Sequence, residues 1–225
     1  MSGGAGVAGL VVALANELLE ARDELNRLDG VAGDGDLGLT VTNASRALIE
    51  LAPSLADLSE ADAVRRCGTE IARKAPSTGG TLIAFALMAA SKGPVEPEAP
   101  TAERIAAYLD AATASIGQRG QVATGDRTML DALAPAAAAA RRVADAGGTV
   151  SELAREAAAA ADSGASATAT MAAKVGRAGW LADRAAGHED AGARLVAMAF
   201  AAAARASVGK AERTVAGTAE RTAEG

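Results

Sequence analysis

Apolar residues recur along this chain at three- and four-residue spacing, the period of a helix that buries one face. The clearest run opens the sequence: Val7, Leu10, Val11, Leu14, Leu18, Leu25 and Leu28 predict one long amphipathic helix ending at Gly30. The same period predicts helices over residues 40–51, 59–74, 78–92, 101–118, 127–146, 149–174 and 190–208, separated by breaks that carry Pro or Gly. Thr149 followed by Glu152 predicts a capping box at the start of the seventh, and GPVEPEAP, residues 93–100, reads as a linker. The pattern gives about eight helices, no convincing strand and no repeat of fixed period. Residues 1–208 are therefore expected to form a single all-α domain, and residues 209–225 a polar tail that frays.

Composition sharpens the picture of the core. Alanine supplies 63 of 225 residues and aromatics only 2%, so helices must pack closely through small contact residues. The net charge of -6 and the absence of Lys/Arg clusters interleaved with aromatics argue against a nucleic-acid partner. Cys67 is alone, no signal segment is evident, and no uncharged apolar run approaches about 20 residues. A cytoplasmic protein without membrane insertion is expected; the Ala-rich helices leave room for a homodimer.

Candidate chemistry concentrates in LDGVAGDGDLGLTVT, residues 28–42. Gly33-Asp34-Gly35-Asp36-Leu37-Gly38 has the glycine spacing of a dinucleotide-binding turn, but a helix precedes it where a strand is required, and its aspartates would repel a pyrophosphate. Gly120 to Gly125 has P-loop spacing without the Lys-Ser/Thr pair, and EF-hand registers from Asp29 or Asp34 put non-ligands at ligand positions. Asp29, Asp34 and Asp36 in a glycine-bent turn form an all-oxygen set that suits Mg²⁺, through which phosphates could be held without touching the carboxylates. The bland alternative is a set of solvated turn-formers and N-caps.

Three further segments are candidates. Ser77-Thr78-Gly79-Gly80 opens an apolar helix and offers free N–H groups and hydroxyls to an anion, or else is an ordinary N-cap. Met129, in GDRTMLDAL, is a ligand contact or a core residue. Arg177, followed by the Asp190-Ala191-Gly192 turn, is a phosphate contact or a surface arginine. His188, the single histidine, reads as a loop or helix-entry residue.

In this order the four segments resemble the dihydroxyacetone kinase L family, the nucleotide-binding subunit or domain of dihydroxyacetone kinases. The acidic loop reproduces the three aspartates of the family's D-x-x-I-G-D-G-D-H-G, and GDRTMLDALAPA and GRAGWLADRAAGHEDAGA follow two more of its motifs. The resemblance implies a closed barrel of eight antiparallel helices with ATP or ADP at one end. It implies Asp29, Asp34 and Asp36 as ligands of Mg²⁺. Leu37, Gly38 and Thr40 fall in the phosphate stretch, Ser77, Thr78 and Gly79 match a phosphate turn, and Gly120 and Met129 match the adenine surroundings. Arg177, Asp190, Ala191 and Gly192 match further nucleotide contacts. It also implies a separate K-type subunit that holds the ketose, so that this chain would be half of a kinase. Alternatives within the resemblance are a subunit whose bound ADP is rephosphorylated by a phosphotransferase-system protein, and a non-catalytic regulator. The chain departs from the family at Leu37, which stands for the usual histidine, at Ala75-Pro76, which replaces a glycine pair, and at Ala191, which replaces a proline.

Overall fold

The computed structural model describes residues 3–93, 99–175 and 182–223, with side chains described to Val208. Among the described residues the fold is all helical. The helices are α1 (Gly3–Glu20), α2 (Arg22–Ala32), α3 (Leu37–Leu51), α4 (Glu60–Lys74), α5 (Thr78–Ala90), α6 (Thr101–Gly120), α7 (Leu130–Asp145), α8 (Val150–Ala167) and α9 (Ala191–Ala223). Short 3-10 turns at Ala52–Leu55 and Thr168–Thr170 and a single helical turn at Ala182–Ala185 complete them.

The long first helix expected to end at Gly30 is two helices bent at Ala21. The bend keeps the Ala21 N–H on the Glu17 carbonyl (3.2 Å) and the Leu25 N–H on the Ala21 carbonyl (3.0 Å), so the apolar period runs through it. Gly30 does not stop α2, which runs two residues further to Ala32. Conversely, the helix expected over 127–146 starts only at Leu130, because the Asp131 carboxylate pulls back the N–H groups of Gly125 (2.5 Å) and Thr128 (2.8 Å) into a turn. The helix expected over 149–174 ends at Ala167, and the backbone of α9 stays helical past 208 to Ala223.

The helices pack in a circuit: α1 on α3, α3 on α4, then α4 to α8 each on the next, α8 on α9, and α9 back on α1. On the α7–α8–α9 side the seam is alanine, with Ala132, Ala136, Ala140, Ala157, Ala161 and Ala165 at 0% exposure. Gly164 lets α8 approach still closer, since a Cβ there would lie 2.2 Å from the Asp131 carbonyl, the carbonyl that Pro135 leaves without its helical N–H. The capping box is present: Thr149 Oγ1 accepts from the Glu152 N–H (3.2 Å), and Glu152 Oε2 accepts from the Thr149 N–H (2.8 Å). Larger side chains fill the opposite side, where Leu55, Ala63 and Cys67 pack with Val7, Val11 and Leu87, and burial pushes the Cys67 thiol up to about 11. By length and composition α1 and Ala191–Val208, each with mean hydropathy 1.3, could cross a membrane; in this fold both belong to the circuit.

Candidate functional site

The acidic loop sits between α2 and α3 and is shaped by its glycines. Gly35 has φ +75°, a left-handed conformation that side chains disfavour. At Gly33 a Cβ would fall 2.1 Å from Asp29 Oδ1, so only glycine leaves that carboxylate where it is. The other oxygen, Asp29 Oδ2, accepts from the N–H groups of Asp36 (3.0 Å) and Leu37 (3.3 Å) and thereby caps the start of α3 from eight residues upstream. Asn26 Oδ1 accepts from the Gly38 N–H (2.6 Å), which ties α3 to α2. With the loop held in this way, carboxylate oxygens of Asp29, Asp34 and Asp36 lie within 4.8 Å of one another. Like charges at that spacing repel one another, and the positive end of α3 favours them.

The starts of four helices gather at the same end of the fold. Leu37 of α3, Ile83 of α5 and Leu195 of α9 pack in one apolar cluster with Leu25 and Val41. Met129, just before α7, bridges two further segments: its methyl group lies 3.7 Å from where a Cβ would stand on Gly79, and its Cβ 3.5 Å from the same point on Gly192. Ser77 caps α5 by accepting from the Gly80 N–H (3.0 Å), and Asp190 caps α9 by accepting from the Ala193 N–H (2.8 Å). Helix starts carry partial positive charge, so their convergence favours a polyanion at this end, although Asp29, Asn26 and the Asp36 carbonyl already take the N–H groups that open α3. An open groove of about 610 Å³ runs along α5 past Ser77, Thr78, Thr81, Leu82 and Phe85, with the Arg119 guanidinium 4.0 Å above the Phe85 ring.

The structure thus brings Asp29, Asp34, Asp36, Leu37 and Gly38 together around one helix start, and Ser77, Thr78, Gly79, Met129 and the Asp190–Gly192 turn around another meeting point. Thr40 lies partly buried in the first turn of α3, its N–H on the Asp36 carbonyl (3.1 Å). Gly120 ends α6 beside Leu82. Arg177 lies outside the described residues. Sequence reasoning missed Asn26, which no local pattern connects to Gly38, and it missed the buried polar cluster of Arg127, Asp131 and Thr168. Burial pushes the Asp190 carboxyl up to about 6, against opposing hydrogen bonds and the Arg127 charge. Asp126 is held low by the Ala123 N–H and then by Lys174, whose ammonium is 2.9 Å away.

Residues 31–205 match the DAK2 domain, which is most of the chain. This chain belongs to the DAK2 domain family. The match begins two residues after Asp29, so the first carboxylate of the triad lies just ahead of it. The DAK2 chain is 34% identical over 194 residues to the D-erythrulose kinase of Mycolicibacterium smegmatis, covering 85% of this chain and 33% of that protein. It is 27% identical over 172 residues to the ADP-binding subunit DhaL of the PEP-dependent dihydroxyacetone kinase of Escherichia coli, covering 76% of this chain and 82% of that subunit. Among solved structures it resembles the dihydroxyacetone kinase of C. freundii in complex with AMP-PNP and Mg²⁺, with TM-score 0.68 and 28% identity over 88% of this chain and 33% of that one. The DAK2 chain spans about a third of the length of the erythrulose-type kinases it matches.

Proposed function

We propose that this chain is the magnesium- and nucleotide-binding part of a ketose kinase, which transfers a phosphoryl group to dihydroxyacetone or a similar short-chain ketose held by a separate K-type subunit or domain. The observation that carries the proposal is the carboxylate triad, set beside a gathering of helix starts. The names of its relatives, kinases of erythrulose and dihydroxyacetone, supply the substrate class.

The donor set fits a hard divalent cation. Two oxygens on one octahedral Mg²⁺ lie at most about 4.2 Å apart, so the 4.8 Å spread closes on one ion after a small side-chain rotation, or spans two. Asp29, Asp34 and Asp36 would hold the metal, which supplies charge neutralisation for phosphate oxygens. At the start of α5 the Ser77 hydroxyl and the Thr78 N–H and hydroxyl donate to the same phosphates, while the Ser77 N–H stays on the Ala75 carbonyl (2.8 Å); the opening of α9 adds the N–H of Ala191 beside Gly192, whose own N–H is committed to the Asp190 carboxylate. Met129 offers an apolar surface for the base, and Gly120 stands beside Leu82, which lines the α5 groove. Phosphoryl transfer depends on alignment and electrostatics more than on covalent chemistry. A chain with these parts can therefore work with a partner that orients the hydroxyl. Leu37 contributes no hydrogen bond donor from its side chain, so the phosphate grip rests on backbone N–H groups and hydroxyls.

A second reading keeps the site and changes the donor: ADP stays bound and is rephosphorylated by a phosphotransferase-system protein. It is favoured by the match over 82% of the Escherichia coli ADP-binding subunit. The test is a thermal-shift titration with Mg²⁺, nucleotide and both together, followed by turnover with a K-type partner on dihydroxyacetone and both erythruloses. Stabilisation that needs metal and nucleotide together, with turnover lost in Asp34→Asn, supports the site. Full turnover in that variant defeats the metal assignment. Nucleotide that stays bound through denaturation-free purification selects the second reading over the first.

A further inference from the structure

Arg127 is a buried cation, 4% exposed, in a backbone conformation (φ 63°) that residues other than glycine seldom adopt. Its guanidinium fork reaches across the fold to three carbonyls: Nε donates to Thr168 (3.2 Å), and Nη2 donates to Ala185 (3.0 Å) and to His188 (2.8 Å). Those carbonyls lie at both ends of the connection from α8 to α9. Neighbours in the same turn reinforce the arrangement, since the Lys174 N–H donates to the Asp126 carbonyl (3.3 Å) and its ammonium pairs with the Asp126 carboxylate. Thr168 passes the constraint on, because its Oγ1 accepts from the Asp190 N–H (2.8 Å). Two residues beyond Arg127 stands Met129, which packs against Gly192.

We propose that Arg127 is a positioning residue: by holding both ends of the α8–α9 connection it sets the Asp190–Gly192 turn against Met129, and so governs nucleotide affinity without touching the nucleotide. Its effect on affinity rests on the nucleotide reading above; the clamp itself does not. An arginine is required because its donors are fixed in a planar fork, whereas the single nitrogen of lysine cannot span carbonyls of residues 168, 185 and 188 in the same geometry.

The experiment compares the wild-type chain with Arg127→Met and Arg127→Lys at a temperature where circular dichroism shows each folded. Hydrogen exchange reads the clamp without ligand. The amides of Lys174, Gly187 and Asp190 should lose protection in both variants, while that of Asp62, in the cap of α4, keeps it. Calorimetric titration with Mg·ADP reads the consequence: the dissociation constant should rise at least tenfold in Arg127→Met and by less in Arg127→Lys. Unchanged exchange at the three amides overturns the clamp. Local loss of protection with wild-type affinity overturns the positioning role and leaves Arg127 a purely structural residue. If Arg127→Met does not fold, Arg127→Lys decides alone, and wild-type exchange and affinity in it overturn the proposal. A wild-type chain that binds no Mg·ADP defeats the nucleotide reading and the affinity role together, and the exchange data then decide the clamp.

Discussion

Gly33→Ala tests the metal site through the one carboxylate it displaces. The backbone at Gly33, φ -128° and ψ -153°, is one that alanine adopts, so the substitution strains no torsion. The added methyl would sit 2.1 Å from Asp29 Oδ1 and 2.9 Å from both its Cγ and its carbonyl oxygen, so the Asp29 side chain must turn away and the loop backbone must give by a few tenths of an ångström. Turning away releases the N–H groups of Asp36 and Leu37 and takes one of three carboxylates from the triad. Losing support around a metal costs roughly 10- to 100-fold in affinity, and displacing a ligand lies at the upper end. At a metal-nucleotide concentration a hundred times the wild-type dissociation constant, binding stabilises by about 2.7 kcal/mol; a hundredfold weaker site gains only about 0.4. For a domain of this size these figures correspond to Tm shifts of about 5 to 11 °C and about 1 to 2 °C. Differential scanning fluorimetry with and without Mg²⁺ and ADP measures both. A variant whose ligand-induced shift equals that of the wild type would refute the reasoning, because Asp29 would then be free to move without consequence for the site.

Other outcomes follow from the same geometry. Ala161→Leu, which forces three extra carbons into the fully buried α8 seam, should lower stability by about 1–3 kcal/mol in urea unfolding, and an unchanged midpoint would deny the close packing. Asp190, with its carboxyl raised to about 6, keeps its proton in the folded state while the unfolded chain ionises near 3.8, so its contribution is complete below pH 3.8 and is lost as pH rises through 6. The loss is on the order of 3 kcal/mol, and Asp190→Asn should remove that slope between pH 4 and 6 in urea titrations; identical slopes in the two proteins would contradict it. Gly38→Ala should damage the fold and the site together, since its Cβ would meet the Arg22 carbonyl at 2.2 Å; a wild-type melting temperature would show that α2 and α3 can part cheaply.

Local rules carried much of this structure and failed where residues far apart meet. The Thr149 capping box, the Ser77 cap and the acidic triad depend on neighbours three to seven positions away, and each was readable in the chain. The bend at Ala21 was not, because no Gly or Pro marks it and the hydrogen bonds continue through it. The start of α3 was expected at residue 40 instead of 37 because its cap comes from Asp29, outside the window that helix-start rules inspect. Arg127 sat in a motif already singled out, yet its carbonyl partners are 41, 58 and 61 residues away, and no local pattern connects it to them. Resemblance identified the family; contact geometry had to supply what holds the parts in register.

The alanine seam between α7, α8 and α9 bears on how this domain tolerates change. Alanine has no rotamers to freeze, so the seam orders at no side-chain entropy cost, but it also offers no flexible neighbour that can shift to admit a larger group. In a saturation mutagenesis screen these positions should accept little beyond glycine and serine, while the side built of Leu, Ile and Met accepts conservative exchanges. Drift in this lineage would then be channelled to one half of the molecule, with the other preserved as a nearly invariant frame.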